Sequence, residues 1–162
     1  FAERVNPAMP NPGNAWKIRP ELWNPLMNGS GKFDYTYSER FHDRSGLQKI
    51  LSEISINPDS RQLILQVFRP TDIHFIGGKR RVPCSIYYHF LVRNGKVDIV
   101  YNQRSADVYT HFGNDVWLAW ELMEYVASKT GFNPGYLYHN IGSLHVYQKD
   151  IERLKTCLKE KL

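Results

Sequence analysis

Two cysteines in 162 residues, at positions 84 and 157, are too few and too far apart for the disulfide framework of a small secreted scaffold. There is no C-x-x-C pair and no H-E-x-x-H, so the usual zinc spacings are missing and no metal is expected. Nor is there a run of about eighteen apolar residues to span a membrane, or a secretory signal pattern at the start. Together these absences point to a reducing, cytoplasmic setting. Internal repeats and low-complexity segments are also lacking, and acidic residues are outnumbered. The net charge of +5 admits anionic ligands such as phosphates, while nucleic acid is not expected as a partner. The run Gly77-Gly78-Lys79-Arg80-Arg81 reads first as a solvated loop, with phosphate binding as its alternative.

What is present suits one domain over residues 1–162, with 42% apolar residues to build its core. The first thirty or so residues are rich in Pro, Asn and Gly and read as irregular, with Trp16, Leu22 and Trp23 docking on the body. "GLQKILSEIS" places Leu47, Ile50, Leu51 and Ile54 on one helical face, and Asn57-Pro58-Asp59 ends it. "RQLILQVF" reads as a strand. "CSIYYHFLVR" and "KVDIVYNQR" read as a hairpin around Asn94-Gly95. A helix is expected from Asn114 or Asp115 to Gly131, with Val116, Ala119, Met123 and Val126 inward. The strand "YLYHNIGSLHVY" and a terminal helix from about Lys149 follow. The fold class is α+β: a mostly antiparallel sheet with helices packed on one side.

Several side chains are of types that carry chemistry. Alone, Cys84 reads as a small buried apolar residue. Its place after Pro83 at a strand start, and the proximity of Arg80, Arg81 and Arg104, point instead to a thiolate in positive surroundings. Cys157, on a lysine-rich helix, reads as inert. Arg104 offers a fork of donors to a phosphate, and Ser105 adds a hydroxyl. Arg61 is a second phosphate candidate; for each of these an ordinary surface ion pair is the alternative. His145 and Tyr147 alternate, so they share a strand face that suits a sugar hydroxyl. His111 and His139 read as structural.

The motifs "NPDSR", "VPCSIYYHFLV", "QRSADV" and "GSLHVY", in that order and spacing, resemble the thymidylate synthase and deoxycytidylate hydroxymethylase family. The resemblance runs from about Trp23 to Tyr147. It implies that Cys84 is the nucleophile adding to C6 of a pyrimidine nucleoside monophosphate, with Arg104 and Ser105 on the phosphate. It implies that Arg61 crosses to the partner's site in an obligate homodimer, and that His145 and Tyr147 hold the sugar 3′-hydroxyl. Asp107 would meet the pterin of a reduced folate, 5,10-methylenetetrahydrofolate, as co-substrate. Thiolate addition makes C5 nucleophilic, which is covalent catalysis, and the phosphate and sugar contacts make that addition effectively unimolecular.

Eight positions after Asp107, where synthases carry an asparagine that reads uracil, stands Asp115, as in the hydroxymethylases. Cytosine offers a 4-amino donor that a carboxylate accepts, whereas an ionised Asp115 facing uracil O4 opposes two acceptors. The alternative role for Asp115 is a helix N-cap. The expected activity is therefore dCMP hydroxymethylation, a reaction typical of phage nucleotide metabolism in this family. Thymidylate synthesis on dUMP and an inactive dimeric binding module are the alternatives. The chain stops fifteen residues after Tyr147 without the synthases' closing tail, so a wet pocket and a hydroxymethyl product are expected. Departures are Gln62 in place of a second arginine, Ser85 in place of a histidine, and the absence of the N-terminal phosphate loop. The catalytic glutamate of the family lies in an N-terminal helix. Glu3 is the nearest candidate, and the true residue is expected to precede Phe1.

Overall fold

The computed structural model describes residues 1–159. Before residue 36 the chain makes only short turns: 3-10 turns at Ala15–Ile18 and Asn24–Leu26, and one helical turn, α1 (Pro20–Trp23). Such pieces are too short to be stable alone. They are held by half-buried anchors, with the Trp23 ring edge-on to Phe33 at 6.0 Å. Helix α2 (Tyr37–His42) was not expected from the apolar pattern. Its start signal is a capping box, in which Thr36 Oγ1 accepts from Glu39 N–H and the Glu39 carboxylate accepts from Thr36 N–H. Helix α3 (Gly46–Ile56) buries Leu47, Ile50 and Ile54, as its periodicity requires.

The main sheet contains β1 (Ile64–Gln66), β2 (Ser85–Arg93), β3 (Lys96–Gln103) and β5 (Asn133–Ile141), in the order β1-β2-β3-β5. A small second sheet pairs β4 (Ala106–Asp107) with β6 (Leu144–His145). Helix α4 (Phe112–Thr130) lies between β4 and β5, and α5 (Ile151–Lys159) ends the described chain. Asn94 and Gly95 both have positive φ, 52° and 73°, which gives the β2–β3 hairpin the turn twist it needs. The β1/β2 and β2/β3 pairs are antiparallel, whereas β3/β5 is parallel. A parallel pair needs a long crossover, which α4 supplies. Pro134 is tolerated because β5 is an edge strand.

Core side chains come from one face of the sheet. Tyr88, Phe90 and Val92 of β2 and Val97, Ile99 and Tyr101 of β3 are buried, together with Leu47, Ile50 and Ile54 of α3 and Ala119, Leu122, Met123 and Val126 of α4. Each large side chain removed from water in this way contributes on the order of 2 kcal/mol. On the opposite face Tyr136 and Tyr138 are 65% and 52% exposed. Helices α2, α3 and α4 pack on the buried side of the sheet.

Four expected boundaries are corrected. The strand read over 61–68 contracts to β1, because the amides of both Val67 and Phe68 turn to the single carbonyl of Ile86. The strand read over 136–147 is divided: β5 starts earlier, at Asn133, and Gly142-Ser143 carry the chain into β6. A Cβ on Gly142 would lie 2.9 Å from the Arg104 carbonyl, so this crossing requires glycine. Helix α4 begins at Phe112 and not at Asn114 or Asp115. The terminal helix follows a 3-10 turn over Gln148–Asp150.

Candidate active site

The segment Gln103–Asp107, where β3 leaves the main sheet and enters β4, organises the site. Arg104 N–H donates to Cys84 O at 2.8 Å, which fastens the start of β2 beside it. The Arg104 fork then folds over the preceding residues. Nε donates to Pro83 O at 3.0 Å, Nη2 to Val82 O at 3.1 Å and Nη1 to Ser105 Oγ at 3.1 Å. A guanidinium has five N–H donors, so two remain for an anion. Ser105 passes the contact on, its hydroxyl donating to the half-buried Cys84 Sγ at 3.7 Å. Cys84, Arg104 and Ser105 thus form one cluster. The Arg80 side chain is turned to Asp34, reaching its carbonyl and lying over Phe75, and the Arg81 backbone N–H donates to the Asp34 carboxylate. The glycine-lysine run before them is exposed.

Asp107 and His145 are register partners in the β4–β6 pair. Asp107 is buried, and among the described residues it uses Oδ1 alone, accepting from Tyr109 N–H at 3.1 Å. The His145 and Tyr147 rings meet edge to face at 5.1 Å, although Tyr147 lies beyond β6. The pairing read from their alternation is therefore a real contact, made by a short strand and the extended residues after it.

Asp115 stands in the first turn of α4. The N-cap position is His111, and no side chain caps the helix there. Neither Asp115 nor Asn114 is the cap, so that alternative role falls away. The carboxylate instead accepts from Gln103 Nε2 at 2.7 Å through Oδ2. Gln103 in turn meets His139 Nε2 through its Oε1 at 2.9 Å. His139 lies between parallel rings, with Tyr101 at 4.3 Å and Phe112 at 5.9 Å. Burial lowers its pKa below the ordinary histidine value, against the opposing pull of Asp115. Reading the sequence passed over Gln103 and took His139 as structural. The available signal was the buried alternation Val97, Ile99, Tyr101, Gln103: a buried amide needs partners.

Ser85, the residue in the histidine position, is fully buried and bridges two phenols, with Tyr37 Oη and Tyr101 Oη each 2.6 Å from its Oγ. Burial holds the Tyr37 and Tyr101 phenols well above the normal tyrosine pKa, raises that of Tyr88, and pushes Tyr35 up to about 12. All four are neutral at physiological pH. Glu3 is engaged elsewhere, accepting from the Asn14 and Ala15 amides at 2.8 and 3.0 Å.

The family model described as thymidylate synthase matches residues 15–162. The chain belongs to the thymidylate synthase family. It is 30% identical over 132 residues to the thymidylate synthase of Mycoplasma pneumoniae, covering 79% of this chain and 45% of that protein. The Mycoplasma genitalium enzyme gives 30% over 125 residues, 75% and 42%. Thermostable thymidylate synthase A from Bacillus subtilis shares the fold, with a TM-score of 0.70 at 24% identity over 83% of this chain and 51% of that one. The chain thus spans about half the length of the thymidylate synthases it matches.

Arg61 lies apart from the cluster of Cys84, Arg104 and Ser105. The Leu63 carbonyl accepts from Phe90 N–H, and the Arg61 carbonyl meets His89 Nε2. Arg61 is thus beside the far half of β2, roughly 20 Å along the strand from Cys84 at about 3.3 Å per residue. Among the described residues no helix is long and apolar enough to cross a membrane, and no group of three His, Cys, Asp or Glu side chains can hold a metal.

Proposed function

We propose that this chain transfers a one-carbon unit from methylenetetrahydrofolate to C5 of a pyrimidine deoxynucleotide, with dCMP as substrate and a hydroxymethyl group as product. The observation that carries the base choice is the Asp115 carboxylate, which is not a helix cap and is fixed by Gln103. A carboxylate with one oxygen occupied presents the other as an acceptor, which suits the 4-amino group of cytosine and opposes O4 of uracil.

The other roles are those the family resemblance implies. Cys84 Sγ adds to C6, and the electron pair of the C5–C6 double bond makes C5 nucleophilic. The two free N–H groups of Arg104 and the Ser105 hydroxyl receive the phosphate next to that sulfur. His145 and Tyr147 hold the sugar, which keeps the ring against Cys84. Asp107 keeps Oδ2 for a ligand N–H, and this fits the pterin of a reduced folate, which supplies the carbon at the oxidation level of formaldehyde. Arg61 is too far from Arg104 to share its phosphate, which supports a homodimer in which it serves the partner's nucleotide. The open sheet face with Tyr136 and Tyr138 is the surface available for that pairing.

The test is mass spectrometry of products from dCMP, dUMP and CMP incubated with methylenetetrahydrofolate. Hydroxymethyl-dCMP with tetrahydrofolate is expected. Methylated dUMP with dihydrofolate would establish the second reading, thymidylate synthesis, which the names of the Mycoplasma relatives favour. Nucleotide binding without any product would identify an inactive binding module, a reading favoured by the engagement of Glu3 with backbone amides.

A further inference from the structure

Between the sheet and α4 lies a relay of three polar side chains, His139, Gln103 and Asp115, walled by Tyr101 and Phe112. Its direction can be read link by link. The Asp115 carboxylate only accepts, so Gln103 must turn its NH₂ to Oδ2. The Gln103 carbonyl oxygen is then the end that faces His139, and it only accepts, so the hydrogen of the imidazole sits on Nε2. Nδ1 is buried without a partner, as fits the bare lone pair of that neutral tautomer; an N–H there would be a buried unsatisfied donor. Burial supports the neutral form. The stack on Tyr101, with interplanar angle 16°, holds the ring in the plane that this bond requires.

We propose that His139 is a positioning residue for the base-reading edge: its Nε2–H takes up the Gln103 carbonyl oxygen, which steadies the Gln103 NH₂ on Oδ2 of Asp115 and so holds Oδ1 toward the base. The inference rests on the proposed reading of the base by Asp115. With aspartate at 115, Gln103 occupies Oδ2 and Oδ1 is left to accept from an exocyclic amino group. With asparagine at 115, Gln103 takes the amide oxygen and the NH₂ is left to donate to a carbonyl. The relay therefore converts an aspartate-to-asparagine exchange into a clean change from cytosine to uracil. Without the His139 donor the Gln103 carbonyl oxygen would be left unpaired beside the ring stack, and Gln103 would hold the side chain at 115 less firmly in one orientation. Among the described residues no side-chain hydrogen bond of the relay reaches Cys84, so its effect falls on base choice and not on sulfur reactivity.

The experiment compares kcat/KM and calorimetric dissociation constants for dCMP and dUMP across four variants of the full chain. His139→Phe keeps the stack and loses the donor; it should lower the dCMP preference about tenfold, in binding as well as turnover. His139→Gln places an amide donor at similar reach and should restore most of the preference. Gln103→Met removes the relay without disturbing the stack and should reproduce the His139→Phe loss, which covers the case in which the phenylalanine variant folds poorly. Asp115→Asn should shift preference to dUMP. If Asp115→Asn shifts preference while His139→Phe and Gln103→Met keep the wild-type ratio, the relay is refuted and the Asp115 reading stands. If His139→Gln fails to rescue a His139→Phe loss, the donor argument is wrong. If Asp115→Asn changes nothing, the base reading itself fails, and the relay with it.

Discussion

Replacing Arg104 with lysine keeps the charge and removes the fork, which separates two jobs of that residue. In the native chain Nε, Nη1 and Nη2 satisfy Pro83 O, Ser105 Oγ and Val82 O at 3.0 to 3.1 Å. A lysine ammonium reaches one of those acceptors at most. Hydrogen bonds from a charged donor are worth ~1.5–3 kcal/mol; Arg104 is exposed, so about 1 kcal/mol for each of two lost bonds gives a destabilisation of about 2 kcal/mol. The phosphate loses a bidentate partner and keeps a point charge, which should weaken dCMP binding by about tenfold to thirtyfold. The assay is calorimetric titration of wild type and Arg104→Lys with dCMP and with deoxycytidine, which lacks the phosphate. The nucleotide should lose affinity while the nucleoside is unchanged. Equal losses for both ligands would show that Arg104 only shapes the loop at Val82-Pro83, and unchanged dCMP binding would remove the phosphate role.

Cys84→Ala should abolish both product formation and exchange of the C5 hydrogen, and Cys157→Ala should leave the rate near wild type; turnover by the Cys84 variant would rule out covalent catalysis. Ser85→Ala leaves the Tyr37 and Tyr101 hydroxyls without their shared partner and should cost about 1–3 kcal/mol by urea denaturation; an unchanged midpoint would show that the phenols find other partners. Asp115→Asn should move the ratio of kcat/KM values from dCMP toward dUMP, and an unchanged ratio would reduce Asp115 to a support for Gln103. The last concerns pH. His139 has its folded pKa below the ordinary 6.5, so below that pH the unfolded chain takes up a proton that the folded chain resists. Unfolding then binds protons, and stability must fall as pH drops below about 6.5. His139→Phe should flatten that acid-side slope, and a slope equal to wild type would show that other groups govern it.

The sequence made local elements legible and left their joining obscure. The α3 face and the β2–β3 hairpin are visible because each is specified within a dozen residues, by 3.6-residue periodicity and by Asn94-Gly95. The parallel β3/β5 pair is not visible, because β5 alternates like any half-buried strand and its partner is chosen by the packing of α4. Helix α2 was missed because its six residues are too few for a periodic signal. The Thr36–Glu39 capping box was its only mark.

The site divides in the same way. Cys84, Arg104 and Ser105 were legible as types, and β2–β3 pairing explains why they meet: Ser85 is the register partner of Gln103, so their neighbours Cys84 and Arg104 must be adjacent. A register makes residues neighbours but says nothing of hydrogen-bond direction, and that is why the link from Gln103 to His139 was not legible. An amide is symmetric to the sequence and polar in the structure. It takes a direction only when one end meets a group that can solely accept, and here Asp115 is that group. The residue on which the proposed cytosine reading rests is thus also the one that orients its own support. Any substitution at 115 changes what the base meets and what Gln103 must do, which makes the His139 end the place to perturb one without the other.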